Sequence, residues 1–144
     1  MSVTSNKKVV EQFIQQIWNN RELENLDRFI HNEYYDHSFV QGVAPNTEGL
    51  KFWIQASSTS FHHQTVIESI MAEDDMVTVR ISFKIKHTGK WRNIEASGKE
   101  VRVKGFRQFR LKDSRIAEHW ALLDGESLQA SLLEVQPGCE LVRK

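Results

Sequence analysis

The sequence predicts an α+β domain, and three observations carry the prediction. Apolar residues recur at three- and four-residue spacing up to about residue 60, the helical pattern. From residue 65 onward they alternate with polar ones, the strand pattern, and acidic or glycine-containing turns punctuate that alternation. The helical half precedes the strand half without interleaving, so a curved, meandering sheet wraps around the helices.

Over residues 8–20, Val9, Val10, Phe13, Ile14, Ile17 and Trp18 build one face of an amphipathic helix that Thr4 or Ser5 can cap. Asn19 and Asn20 break it, and Leu23, Leu26, Phe29 and Ile30 mark a second, short helix packed against the first. An extended piece over residues 34–39 leads to the turn chemistry of Gly42, Pro45 and Asn46. Leu50, Trp53 and Ile54 then carry a third helix that ends near Ser60. Residues 65–71 are β-branched and apolar, and Asp74-Asp75 supplies a turn. Val77, Val79, Ile81, Phe83, Ile85 and His87 then alternate with polar side chains as a long strand with one buried face. Residues 89–98 form a loop. Val101, Val103, Gly105, Arg107 and Phe109 share one face of the next strand, and Asp113-Ser114 turns the chain into the last one. After Gly125, Leu128, Leu132 and Leu133 suggest a final short helix. No repeat or linker interrupts the chain, so residues 1–144 read as one domain with a core over about 8–133 and a tail over 134–144.

Nineteen basic and nineteen acidic residues balance, so no overall field draws nucleic acid or an acidic membrane surface, and neither is expected as a partner. The run Lys84, Lys86, Lys90 and Arg92 reads as a solvated strand face and loop. No apolar run approaches membrane-spanning length, and a cytoplasmic location is expected. Cys139 is the only cysteine and sits beside Pro137 and Gly138 in the tail, so no intrachain disulfide forms.

The segment 112–124 is the most informative. Strand alternation puts His119 on one face with Ala117 and Ala121, and Trp120 on the other with Ile116 and Leu122. An imidazole among small side chains leaves room beside it for something that is not protein.

The order of elements resembles a known family, as do Phe13, Trp18 and Asn19 near the end of the first helix, Tyr35-Asp36-His37, Glu48-Gly49-Leu50-Lys51, His87-Thr88-Gly89 and the segment 113–120. The chain is similar to the SnoaL-like polyketide cyclases of the nuclear transport factor 2-like superfamily. The resemblance implies a cone-shaped α+β barrel around one deep pocket, a homodimer made by packing outer sheet faces together, and acid–base chemistry without cofactor or metal. It also implies a catalytic aspartate two residues beyond His119 and a helping imidazole on the preceding strand. Here those positions hold Ala121 and Arg107, so the cyclase pair is absent as such.

With the resemblance turning Arg107 toward the pocket, it reads either as a fixed cation for a carboxylate, phosphate or enolate oxygen, or as half of an internal salt bridge to Asp36 or Glu68. Gly105, two residues away, is expected to leave volume beside it. His119 is the candidate general base, with a hydrogen-bonded core histidine as its rival reading. Asp124 is the nearest replacement for the missing carboxylate, although simple alternation puts it on Trp120's face unless a β-bulge intervenes. Asp36 meets the same difficulty, since it and His37 cannot both face inward. His37 and His87 are expected to point into the same cavity as His119, and Trp18, Phe39, Phe52 and Phe83 read as core or as aromatic pocket lining. The expected function is binding, and converting by isomerase, cyclase or hydrolase-type chemistry, of a small hydrophobic molecule bearing an anionic or enolisable oxygen. A non-catalytic ligand sensor and a dimeric protein-interaction module are the alternatives.

Overall fold

The computed structural model describes residues 2–133, and the predicted tail with Cys139 lies outside them. Helix α1, Val3–Phe13, is capped by Ser2, whose hydroxyl accepts from the Ser5 amide. The cap stands earlier than Thr4 or Ser5. The helix then widens into a π-helical stretch, Ile14–Asn19, in which the Asn20 amide donates to the Gln15 carbonyl. The wider turn buries Ile17 and Trp18 together and presents Asn19 to a neighbouring strand. There its side-chain amide pairs with both backbone groups of Thr65, at 2.7 and 3.0 Å. Instead of a second α-helix, a 3₁₀ turn spans Leu23–Arg28.

Ile30 belongs to strand β1, Ile30–Asp36, and not to a helix. Its apolar spacing fits the helical period, but pairing opposite Ile116 on the last strand takes it into the sheet. Helix α2, Thr47–Ser60, is capped by Asn46 and runs without a loop into β2, Phe61–Glu73, which therefore starts four residues before the predicted strand. Strands β3, Met76–His87, β4, Glu100–Lys112, and β5, Arg115–Leu123, follow, and helix α3, Gly125–Leu132, ends the described chain. Asp113 and Ser114 both adopt positive φ, the conformation of a two-residue hairpin turn matched to the right-handed twist of the strands.

The sheet order is β1-β5-β4-β3-β2, antiparallel except for the parallel pair β1–β5. The first and last strands in this order do not meet, so the sheet is curved and open, with the helices packed into it as expected. Its inner face packs Val77, Val79, Ile81, Phe109 and Leu111 against Val10, Phe13, Ile14 and Ile17. A second cluster, Phe61, Phe83, Ile85 and Val103, is closed by Leu128 and Leu132 of α3.

One irregularity decides what β5 presents to each face. Arg110 pairs with Glu118 while the next residue, Leu111, pairs with Ile116, so Ala117 is an extra residue in a β-bulge. The bulge reverses the parity of everything before it. Ile116 turns into the core beside Leu111, and only Trp120 and Leu122 remain on the outer face.

Candidate active site

Between the π-helical stretch, α2 and the inner faces of β4 and β5 lies a cavity of about 240 Å³. Trp18, Phe39, Leu50 and Trp53 form its apolar walls, and Arg107 and His119 are its ionisable lining. Each arrives for a local reason. Trp18 is carried by the widened helix end that Asn19 anchors. Arg107 and His119 sit on inward positions of neighbouring strands, where Arg107 pairs with Ala121 and Phe109 with His119.

Behind these two, β1 contributes Tyr34 and Asp36. The parallel register sets Asp36 opposite His119, and alternation then turns His37 outward. Asp36 Oδ2 lies 2.8 Å from His119 Nδ1 and accepts from the Tyr34 hydroxyl at 2.5 Å. Its other oxygen accepts from the Ser38 amide at 2.9 Å and from the Ser38 hydroxyl. On the far side of the imidazole, Arg107 Nη1 lies 3.3 Å from His119 Nε2. A guanidinium can only donate, so Nε2 accepts, and the ring proton resides on Nδ1 and points to Asp36. The Arg107 guanidinium also stacks on the Trp18 ring at 4.6 Å, a cation–π contact.

The electrostatics follow from burial and these bonds. Burial would raise the Asp36 carboxyl, but hydrogen bonds from His119, Ser38 and Tyr34 outweigh it and hold it at about 2. Burial lowers His119, helped by the Arg107 charge and opposed by the bond to Asp36, so the ring is neutral at pH 7. Burial pulls Arg107 down to about 10, which leaves it charged, and pushes Tyr34 well above its ordinary value. The result is a neutral imidazole, oriented by a carboxylate, with its lone pair beside a fixed cation on a cavity wall. Once Arg107 turns its N–H from Nε2 to a substrate oxygen, that arrangement can take up a proton and stabilise the negative charge left behind.

Of the residues singled out in the sequence, His119, Arg107, Trp18 and Phe39 converge on this cavity. The others do not. Asp124 is exposed and caps α3, accepting from the Ser127 amide at 3.1 Å and its hydroxyl at 2.7 Å. His37 lies on the outer face, stacked on Trp120 at 4.6 Å and paired with Glu118 at 2.7 Å. His87 is fully buried at the other end of the sheet, against Phe61 and Ser97. The three imidazoles therefore do not assemble, and the described residues contain no metal-holding group of three or more His, Cys, Asp or Glu side chains. Phe52 is 56% exposed on the outer side of α2, and Phe83 belongs to the second core cluster, stacked on His63. The volume beside Gly105 is filled, since a Cβ there would meet the Leu123 side chain at 2.2 Å. Arg107 forms no ion pair with a described carboxylate. Glu68 instead holds Ser82 and Arg102, and Asp36 reaches Arg107 only through His119.

Sequence reasoning missed Tyr34 and Asp36 as partners of His119, and Leu50 and Trp53 as walls. The alternation of β1 was the available signal for the first two, because it places Tyr34 and Asp36 on one face.

An open curved sheet holding its helices and a polar-ended cavity on one face is the nuclear transport factor 2-like fold. The sequence profile of the SnoaL-like polyketide cyclases matches residues 8–132, and the chain belongs to that family. Among solved structures, TsrD from Streptomyces laurentii superposes with a TM-score of 0.81 at 23% identity, over 92% of this chain and 97% of that one. IdmH from Streptomyces antibioticus gives 0.78 at 21% identity, over 90% and 99%. A SnoaL-like polyketide cyclase from Agrobacterium tumefaciens gives 0.74 at 12% identity, over 92% and 99%. At these identities the likeness establishes the fold. No curated protein matches the sequence.

Proposed function

We propose that this domain binds a small hydrophobic molecule bearing an anionic or enolisable oxygen and converts it by acid–base chemistry carried on side chains alone. The observation that carries the reading is the hydrogen-bonded series Asp36–His119–Arg107, ending on an apolar-walled cavity. In the step it supports, the bound carbonyl oxygen takes over the Arg107 N–H that Nε2 accepts, and the freed His119 Nε2 takes a proton from the carbon next to that carbonyl. The C–H electron pair moves onto the carbonyl oxygen, and Arg107 stabilises the enolate. Asp36 positions the ring and stabilises the imidazolium. Return of the proton to another atom gives an isomerase outcome, and attack of the enolate on a second carbonyl gives a cyclase outcome. Trp18 closes the wall and holds the guanidinium in place. The histidine takes over the work that the family resemblance gives to an aspartate at the position of Ala121.

We further propose a cytoplasmic homodimer joined through the outer sheet face. Leu122 and Phe106 support it, being 79% and 54% exposed side by side with Trp120.

Deuterium incorporation from D₂O, measured across a panel of small ketones and β-keto esters, tests the chemistry. His119→Ala should slow exchange by about 10² to 10⁴, the range for losing a positioned general base. Wild-type exchange no faster than that of His119→Ala on every panel member refutes the reading.

A further inference from the structure

We infer that the substrate of this cavity is an uncharged carbonyl compound about the size of a single substituted ring, and that anions and fused polycycles are poor occupants. The inference rests on the acid–base reading above and decides between the anionic and the enolisable oxygen which that reading leaves open.

The first argument is charge. Asp36 accepts from Tyr34, the Ser38 amide, the Ser38 hydroxyl and His119, a donor set that fits a carboxylate and leaves no place for a carboxyl proton. His119 accepts from Arg107 on one nitrogen and donates from the other, so it is neutral. Arg107 is positive, and the Tyr34 hydroxyl keeps its proton in donating to Asp36. One positive and one negative charge remain, and the buried cluster is neutral before anything binds.

A bound carboxylate would therefore leave this buried cluster with an unbalanced negative charge, because Arg107 is already offset by Asp36 through the imidazole between them. An uncharged ketone adds none. When its proton passes to His119, the imidazolium and the enolate appear together, and the site stays balanced throughout the step. Arg107 lines the cavity, and its guanidinium carries more N–H groups than the one bond to His119 uses, so donors are left for an oxygen that gains charge during the reaction.

The second argument is size. A dry cavity of about 150 Å³ accepts benzene, so about 240 Å³ holds on the order of ten non-hydrogen atoms. That is one ring with a short substituent. It lies below the range of about 300–1,000 Å³ for drug-sized ligands, so a fused tetracycline-sized ring system could not be enclosed in it.

Three probes test the class by calorimetric titration at pH 7: 2-acetylcyclohexanone, cyclohexanecarboxylate and 1,8-dihydroxyanthraquinone. The neutral diketone should bind the wild-type protein at least about tenfold more tightly than the carboxylate of similar size, and the tricycle should not compete with it. Asp36→Asn removes the balancing negative charge, so the carboxylate should gain about tenfold or more while the diketone changes little. A gain of binding cannot come from misfolding, and the wild-type comparison stands if the variant does not fold. Equal or tighter wild-type binding of the carboxylate overturns the inference, as does displacement of the diketone by the tricycle or absence of diketone binding at millimolar concentration. Deuterium exchange on the bound diketone separates the two readings. Selective binding without His119-dependent exchange retains the ligand class and refutes the catalysis.

Discussion

Arg107→Met distinguishes an electrostatic role for this residue from a structural one, because methionine keeps much of the buried stem and deletes the charge. The guanidinium stack on Trp18 contributes about 2 kcal/mol at a desolvated site. A methionine sulfur near the same ring returns up to about 1 kcal/mol. Removing a buried cation also removes a desolvation cost, and although Asp36 loses its balancing charge, Tyr34, both Ser38 donors and His119 still hold it by hydrogen bonds. The net loss of stability should stay within about 1–2 kcal/mol, short of the 3–5 kcal/mol typical of breaking a buried pair. Turnover should suffer more. Loss of a preorganised group facing a developing oxyanion costs about 10² to 10³ in rate. The Arg107 charge also helps to lower His119, so without it the ring protonates at higher pH and the acid limb of the pH–rate profile moves upward. Deuterium exchange into a small diketone as a function of pH, with a thermal melt on the same samples, reads all three effects. Unchanged exchange and an unmoved acid limb, together with a stability loss above about 3 kcal/mol, would assign Arg107 to structure and refute the reasoning.

Stability should fall on acidification before any carboxylate titrates. Burial holds His63 at about 4 against an ordinary 6.5 and lowers His119 as well. The unfolded chain therefore takes up protons first, and the contribution, complete above pH 6.5, is lost as pH falls toward 4. Asp36 adds a second loss between its ordinary 3.8 and about 2. A thermal midpoint that stays flat between pH 7 and pH 4 would contradict this assignment. On the outer face, Leu122→Lys should convert a dimer into a monomer in sedimentation at micromolar concentration while the chain stays folded, because the side chain is 79% exposed in the single chain. A wild-type protein that already sediments as a monomer there excludes the proposed interface.

What could be read from the sequence was local. Val77 through Ile85 alternate so regularly that their inward face needed no further information, and the apolar face of the first helix did so equally. Alternation put Arg107 on one face with Gly105 and Phe109, and His119 on one face with Ala121, while the family resemblance implied that Arg107's face turns toward the pocket. Reading failed where a distant partner or a break in period decided the outcome. Ile30 has helical spacing, and only its pairing with a strand 86 positions later makes it β. Ile116 has the parity of an outer residue, and only the extra residue at Ala117 sends it into the core. Asp124 drew attention as the carboxylate nearest His119 in sequence, yet Ser127 three residues on was the local sign of a helix cap. The carboxylate that the imidazole does bind, Asp36, stands 83 positions away in sequence, brought there by the one parallel pairing in the sheet. Alternation within β1 had already forced a choice between Asp36 and His37, and pairing with β5 made it. Turning Asp36 inward gives His119 its acceptor and leaves His37 to stack on Trp120, so a single register fixes both the buried acid–base series and the aromatic pair on the opposite face.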